Sequence, residues 1–430
     1  VTIVRGTFVD VAPGPLVDAS LRVLTDGAVL VRDGTIVEKG DLADLTGAHE
    51  DEQVADCRGG LILPGFVDTH VHYPQVRAIG GLGLPLLEWL DRCALPEEAR
   101  LADPSYAADI ADDFVTGLVA AGTTTALVFG AHFAGAVDAL FARAAVAGPR
   151  ITSGLVVSDR GLRPDLLTTP ERAYDESRAL AERWHERGTA RYAVIPRFSM
   201  SCSADLLDAC GALLKDIPGS WLTSHLNENL VEIAEVGRLH AECATYAASY
   251  DDHGLLGSRS VLAHNVHPRD DELDLLAARD AAVAHCPTSN AALGSGLFPL
   301  ARHLSHGVRV ALGTDVGAGT GLSMFKEALQ AYFAQQLLGA AGHPLHAAAL
   351  LHLATRSGAE ALGVADVAGG FDIGSAYDAV WLRPPAGSTL DIGIRHASGS
   401  DDALAKAFAL ASNHDLARVW VGGAVVGGRD

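Results

Sequence analysis

A chain of 430 residues with 53 acidic against 32 basic side chains carries a formal net charge of -21. That balance excludes a phosphate-binding surface, because nucleic-acid affinity depends on Lys and Arg releasing counterions. A neutral small molecule is the expected partner, with neither nucleic acid nor membrane. The apolar fraction of 49% supplies ample core, and the length suits one large domain plus a smaller one. Cys57, Cys93, Cys202, Cys210, Cys243 and Cys286 are scattered without CxxC pairing and read as reduced core thiols. The segment VTIVRGTFVDV lacks a basic flank followed by a long apolar run, and no stretch approaches about eighteen uninterrupted apolar residues, so a soluble, cytoplasmic protein is expected.

Residues 1–62 alternate short apolar runs with Gly, Asp and Pro turns, as in LRVLTDGAVLVRDGTIVEKG, which predicts short antiparallel strands. Residues 369–430 share that texture in YDAVWLRP and LARVWVGGAVVGG, around one helix containing KAFALASN. The two ends are expected to build one small β-sandwich domain. Between them, residues 63–368 repeat strand, loop and helix. LILPGFVDTHVH, TTTALVFG, ITSGLVVSD, RYAVIPRFSM, WLTSHLNE, SVLAHNVH, AAVAHCPTSN and RVALGTDVG read as strands, and segments such as SYAADIADDFVTGLVAAG show helical spacing. Eight such units over roughly 290 residues predict an α/β fold, a (β/α)₈ TIM-type barrel, which typically takes about 250 residues. A doubly wound sheet is the alternative, but it would place a GxGxxG fingerprint after the first strand, and none is there.

In such a barrel the active site lies at the carboxyl ends of the strands. The first strand ends in His70 and His72, which share a face because strand side chains alternate. Neutral imidazoles at that spacing suit zinc, although two histidines could equally close a buried strand. The fifth strand ends in His225, three residues before Glu228, the sixth in His264 and the eighth in Asp315. Ligand or acid-base side chains at several independent strand ends point to a metal site.

PGFVDTHVHYPQ, LLEWL, PRFSMSCS, SHLNEN, LAHNVH, HCPTSNAALGSG and GTDVGAGTGLSM, in that order over residues 60–330, resemble the blocks of the amidohydrolase superfamily and, within it, of the guanine deaminase family. The resemblance implies that His70, His72, His225 and Asp315 hold one Zn²⁺ per chain. It makes Asp315 the base, Glu228 a proton shuttle, and His264 the group that orients the attacking oxygen. Gln75, Arg197 and Phe198 match the residues that recognise the purine, an Arg being suited to the O6 and N7 acceptors of guanine. The fourth strand, RYAVIPRFSM, lacks the lysine that bridges two metals in binuclear members, which favours one metal. The implied reaction is hydrolysis of guanine to xanthine and ammonia, in a homodimer. The alternatives are an aminohydrolase acting on another purine, a pterin or a triazine, and a barrel that binds metal without catalysis.

Other residues are assigned duller parts. His240, Glu242 and Cys243 form HAEC, half of a cytidine-deaminase signature whose PCxxC half is missing. His285 and Cys286 are expected to shape the pocket, and His343, His346 and His352 to be surface or packing residues. The chain departs from the family pattern at Asn265, Ala318 and Gly321, and in LDRCALPEEARLADPSYA after LLEWL.

Overall fold

Each interior strand is a short apolar run whose residues are buried almost throughout, the pattern of parallel strands covered on both faces. In the computed structural model, which describes residues 2–429, these strands are β1 (Phe66–His72), β2 (Thr123–Phe129), β3 (Arg150–Ser153), β4 (Arg191–Pro196), β5 (Trp221–Leu226), β6 (Ser260–His264), β7 (Ala282–His285) and β8 (Arg309–Leu312). They pair in sequential order and in parallel. The seam between β8 and β1 is closed by backbone and side-chain bonds. Asp315 N–H donates to His70 O at 2.8 Å, His72 N–H to Val316 O at 2.9 Å and the Thr69 hydroxyl to Leu312 O at 2.8 Å. Gly313 permits that closeness, because a Cβ there would stand 2.8 Å from His70 Cβ and 3.0 Å from its backbone nitrogen.

The barrel interior is filled by small and branched side chains, among them Val67, Leu127, Ile195, Ala263 and Ala311. Helices cover the outside. Pro104–Ala120 shows how they are encoded: Asp103 caps it by accepting from the N–H groups of Ser105 and Tyr106, and Pro104 opens the first turn. Ala107, Ile110, Ala111, Phe114 and Leu118 then form its buried stripe.

Strands from both chain ends form a second, eight-stranded sheet. The two halves meet where Leu61–Pro64 runs antiparallel to Ala379–Leu382, with Leu63 opposite Val380. Asp33 and Gly34 turn with φ of +48° and +78° between Leu21–Arg32 and Thr35–Gly40, as the DG pair predicts for a tight hairpin. Val4, Phe8, Val29, Ile62, Trp381 and Trp420 build its core. An ionic chain ties it to the barrel: Arg22 bonds Asp10 and, at 2.6 Å, Asp372, which also accepts from Arg356 at 2.8 Å. Among the described residues no helix is long and apolar enough to cross a membrane, and no disulfide forms.

Candidate metal centre and substrate pocket

The strand-end histidines converge. The Nε2 atoms of His70 and His72 are 3.0 Å apart, and His225 Nε2 lies 3.3 Å from that of His72. Asp315 Oδ1 is 3.3 Å from the first and 3.0 Å from the second. Donors about 2.0 to 2.2 Å from a shared zinc in a tetrahedral shell stand roughly 3.3 Å from one another, so the spacing is that of a ligand set. Ring nitrogens that face each other cannot all find an acceptor, whereas one cation among them satisfies every lone pair. Donor atoms of His70, His225, His264 and Asp315 also lie within 4.8 Å of one another, which makes His264 a fifth group around the same point.

Protonation states agree with metal binding, which needs neutral imidazoles and a charged carboxylate. Burial lowers the affinity of His70 for a proton, takes His72 down to about 4 and holds His225 well below the usual value. Burial opposes the charge on Asp315, but His70 and His72 together hold its carboxyl well below the usual range. His225 Nδ1 donates to the Arg197 carbonyl oxygen at 2.6 Å, which fixes the tautomer that leaves Nε2 free for a metal. Phe129 packs beneath, its ring 4.5 Å from that of His72 and 4.8 Å from that of His225.

Glu228 and His264 flank this cluster. His264 Nδ1 bonds Asn290 Oδ1 at 3.0 Å, which sets Nε2 3.4 Å from Glu228 Oε2 and 3.7 Å from Asp315 Oδ2. His264 and Asp315 turn off their strands with φ of +74° and +50°, sparsely populated values for residues with a Cβ. Glu228 is buried, and burial followed by the Asp315 charge pushes its carboxyl up to about 8, against a hydroxyl bond from Ser295 at 3.2 Å. The Glu232 carboxylate accepts from the N–H groups of Glu228 and Asn229, so the turn carrying Glu228 is held by a capping box.

All sequence-predicted site residues except His70, which lies just behind His72, line one cavity. Leu86, Trp89, Leu90, Phe198, Leu293 and Ala318 give it an apolar wall. Gln75 and Arg197 face the space, and both bond a residue that the sequence reading passed over. Glu98, 3% exposed, accepts from Gln75 Nε2 at 2.6 Å through Oε1 and from Arg197 at 2.6 Å through Oε2. His132 Nε2 is 3.3 Å from the same Oε2. Gln75 Oε1 accepts from Gly317 N–H at 3.1 Å. His132, just past the end of β2, was open to the strand-end rule; Glu98 was not, because it lies on the short helix Leu95–Ala99 beyond the first strand.

One departure from the family pattern, Asn265, has a local reason. Asn265 adopts φ +47°, a conformation asparagine tolerates, and its Oδ1 accepts from Asn227 at 3.0 Å. His285 stacks on Phe298 with ring centroids 4.2 Å apart, and neither it nor Cys286 lines the cavity, contrary to the expectation that they shape the pocket. His346 caps a helix and His352 is buried against Ser357, both packing roles. His240, Glu242 and Cys243 do cluster, but outside the cavity, with Glu242 66% exposed.

The sequence profile of the Amidohydrolase family matches residues 61–426. A probable guanine deaminase of Deinococcus radiodurans is 57% identical, over 100% of this chain and 99% of its own. The solved guanine deaminase of E. coli superposes with a TM-score of 0.96 at 38% identity, each chain covered in full. A guanine deaminase of C. acetobutylicum, solved with guanine in its active site, gives a TM-score of 0.91 at 27% identity over 99% of both chains. A barrel whose strand ends gather a His and Asp ligand set, matched along most of its length by that profile and over its whole length by these relatives, leaves one conclusion: the chain belongs to the amidohydrolase family.

Proposed function

We propose that the protein is a zinc-dependent hydrolase that converts guanine and water to xanthine and ammonia. The observation carrying this reading is the cavity's polarity. A metal-type donor set with two acid-base groups occupies one end, and the N–H donors of Gln75 and Arg197 occupy the other. The three relatives named above support it. With it go one zinc per chain, a homodimeric assembly and a cytoplasmic location.

His70, His72, His225 and Asp315 would hold the zinc, which when bound supplies Lewis-acid activation of water near neutral pH. Asp315 Oδ1 faces His70 and His72, leaving Oδ2, on the His264 side, to take a proton from the attacking water. Glu228, whose carboxyl is pushed up by burial and then by the Asp315 charge, stands 3.4 Å from His264 Nε2, where it can deliver a proton to the ring nitrogen beside C2 and then relay one to the leaving amine. His264 aims Nε2 at the oxygen that gains charge. Phe198 gives the ring an apolar face, while Arg197 and Gln75 donate to the O6 and N7 edge opposite C2. That edge is where adenine carries an amino group, and adenine has no amino group at C2 to displace.

An ammonia-release screen across guanine, adenine, cytosine, pterins and triazines tests the proposal. Release from guanine with xanthine as product is expected, and none from adenine or cytosine. Arg197→Ala should retain zinc and lose guanine turnover. Faster release from adenine or a triazine than from guanine would keep the family and overturn the substrate.

A further inference from the structure

Gln75 and Arg197 are each only as selective as their orientation, and an unrestrained Gln can present either end of its amide to a ligand. Here both terminate on one buried carboxylate. Glu98 Oε1 takes the Gln75 amide nitrogen and Oε2 takes Arg197, with His132 Nε2 3.3 Å from Oε2. Gln75 Oε1 is meanwhile spent on Gly317 N–H. The Gln75 amide is thus pinned at both ends, and its nitrogen also lies 3.3 Å from His72 Nδ1, so a ligand reaches its second N–H in competition with that ring nitrogen. Arg197 has five N–H donors and no acceptor, so those not used on Glu98 also point donors at whatever fills the cavity it lines.

We propose that Glu98 is a positioning residue for specificity: by holding Gln75 and Arg197 in this pose it makes the wall opposite the metal centre donor-only, and so decides that the pocket takes a ring with a carbonyl, and not an amino group, on that edge. This rests on the guanine reading above. The segment carrying Glu98 also brings Leu86, Trp89 and Leu90 to the cavity, so one excursion after β1 supplies both the apolar wall and the anchor of the polar one. In Glu98→Gln the introduced amide must set its NH₂ against either Arg197 or the Gln75 NH₂, a donor facing a donor. Gln75 cannot turn over to relieve this without setting its own NH₂ against Gly317 N–H. No arrangement satisfies all the partners, and the donor pose is lost.

The test uses two substrates that share the reacting C2 amino group: guanine, with a carbonyl at C6 and a hydrogen on N1, and 2,6-diaminopurine, with an amino group at C6 and a bare N1. The N1 difference is common to wild type and variants, so the change in their ratio reports the recognised edge. The zinc-loaded wild type is expected to prefer guanine in kcat/KM by at least about 10²-fold, a site built around one hydrogen-bonding edge reaching about 10⁴ to 10⁵. Glu98→Gln should shrink that ratio by about 10-fold or more, chiefly by raising KM for guanine, with zinc content unchanged, and Glu98→Asp, which keeps the charge, should restore part of it. A residue that merely supports the fold would slow both substrates alike and leave the ratio where it was. Should Glu98→Gln fail to fold, Gln75→Met, which removes one of the two donors and leaves the Glu98–Arg197 pair in place, must narrow the same ratio. An unchanged ratio in whichever of these variants folds, with guanine still turned over, overturns the proposal alone. No guanine turnover by the wild type overturns the guanine reading and this proposal with it.

Discussion

Thr314 donates both its hydroxyl, at 2.6 Å, and its backbone N–H, at 3.1 Å, to the carboxylate of Asp68, across the seam where the eighth strand meets the first. The contact is buried completely on both sides. It sets the register that brings Asp315 against His70 and His72, so the ligand set depends on a bond made by none of its members.

Thr314→Val keeps the shape of the side chain and removes the hydroxyl, leaving a buried Asp68 oxygen short of a donor. The expected cost is about 1 to 3 kcal/mol of stability, read as a lower denaturation midpoint of the metal-loaded protein, together with weaker zinc retention. Unchanged stability and zinc content would mean that the seam is held by its backbone bonds alone.

Elemental analysis of the purified protein should find close to one zinc per chain, because β4 has no lysine to bridge a second ion and the donors converge on one point. Chelation should abolish activity, and His225→Ala should lose the metal and the activity together. Two tightly held ions would contradict the single centre.

Glu228 touches His264 and Ser295 and is not one of the side chains whose donor atoms gather with those of His70, His225 and Asp315. Glu228→Gln is therefore expected to keep fold and zinc while kcat falls by about 10² to 10⁴, the usual worth of a general acid-base group. Activity near that of the wild type would remove Glu228 from the proton path.

Asp372 links the end sheet to the barrel through Arg22 and Arg356, and its bond to Arg22, ahead of that to Arg356, lowers its carboxyl to about 2. A folded-state value below the unfolded one gives stability that is fully present above about pH 4 and is lost as pH falls through about 2. Asp372 is 38% exposed, so solvent screening keeps the effect modest. Melting curves of wild type and Asp372→Asn should converge between pH 4 and pH 2. A difference in melting temperature that stays constant over that window would show that the pair contributes through packing and not through charge.

Strand-end residues were legible because a parallel barrel displays its chemistry where each apolar run stops. His70, His72, His225, His264 and Asp315 each close or follow a run, and the backbone that makes the run apolar also delivers the side chain. Glu98 had no such signal. It follows Glu97 on one short helix, and in the sequence the two look like paired solvent-facing carboxylates. In the fold Glu97 meets Tyr106 and Arg100, while Glu98, about 100° further round the helix, turns inward to Arg197. Asp68 was hidden for another reason: a carboxylate inside an apolar strand reads as an interruption until the strand it faces is known. The union of the two chain ends could be read from their shared turn chemistry, but the register of Leu61–Pro64 on Ala379–Leu382 is set by contacts about 320 residues apart, and local pattern carries none of that.

The most direct test is a crystal structure of Glu228→Gln soaked with guanine, with zinc located by anomalous scattering. One zinc bound by His70, His72, His225 and Asp315 is expected, with guanine C2 facing it, Phe198 against the ring, and Arg197 and Gln75 donating to O6 and N7. Guanine bound with its C2 amino group turned away from the metal, or a second zinc in the cavity, would contradict the account.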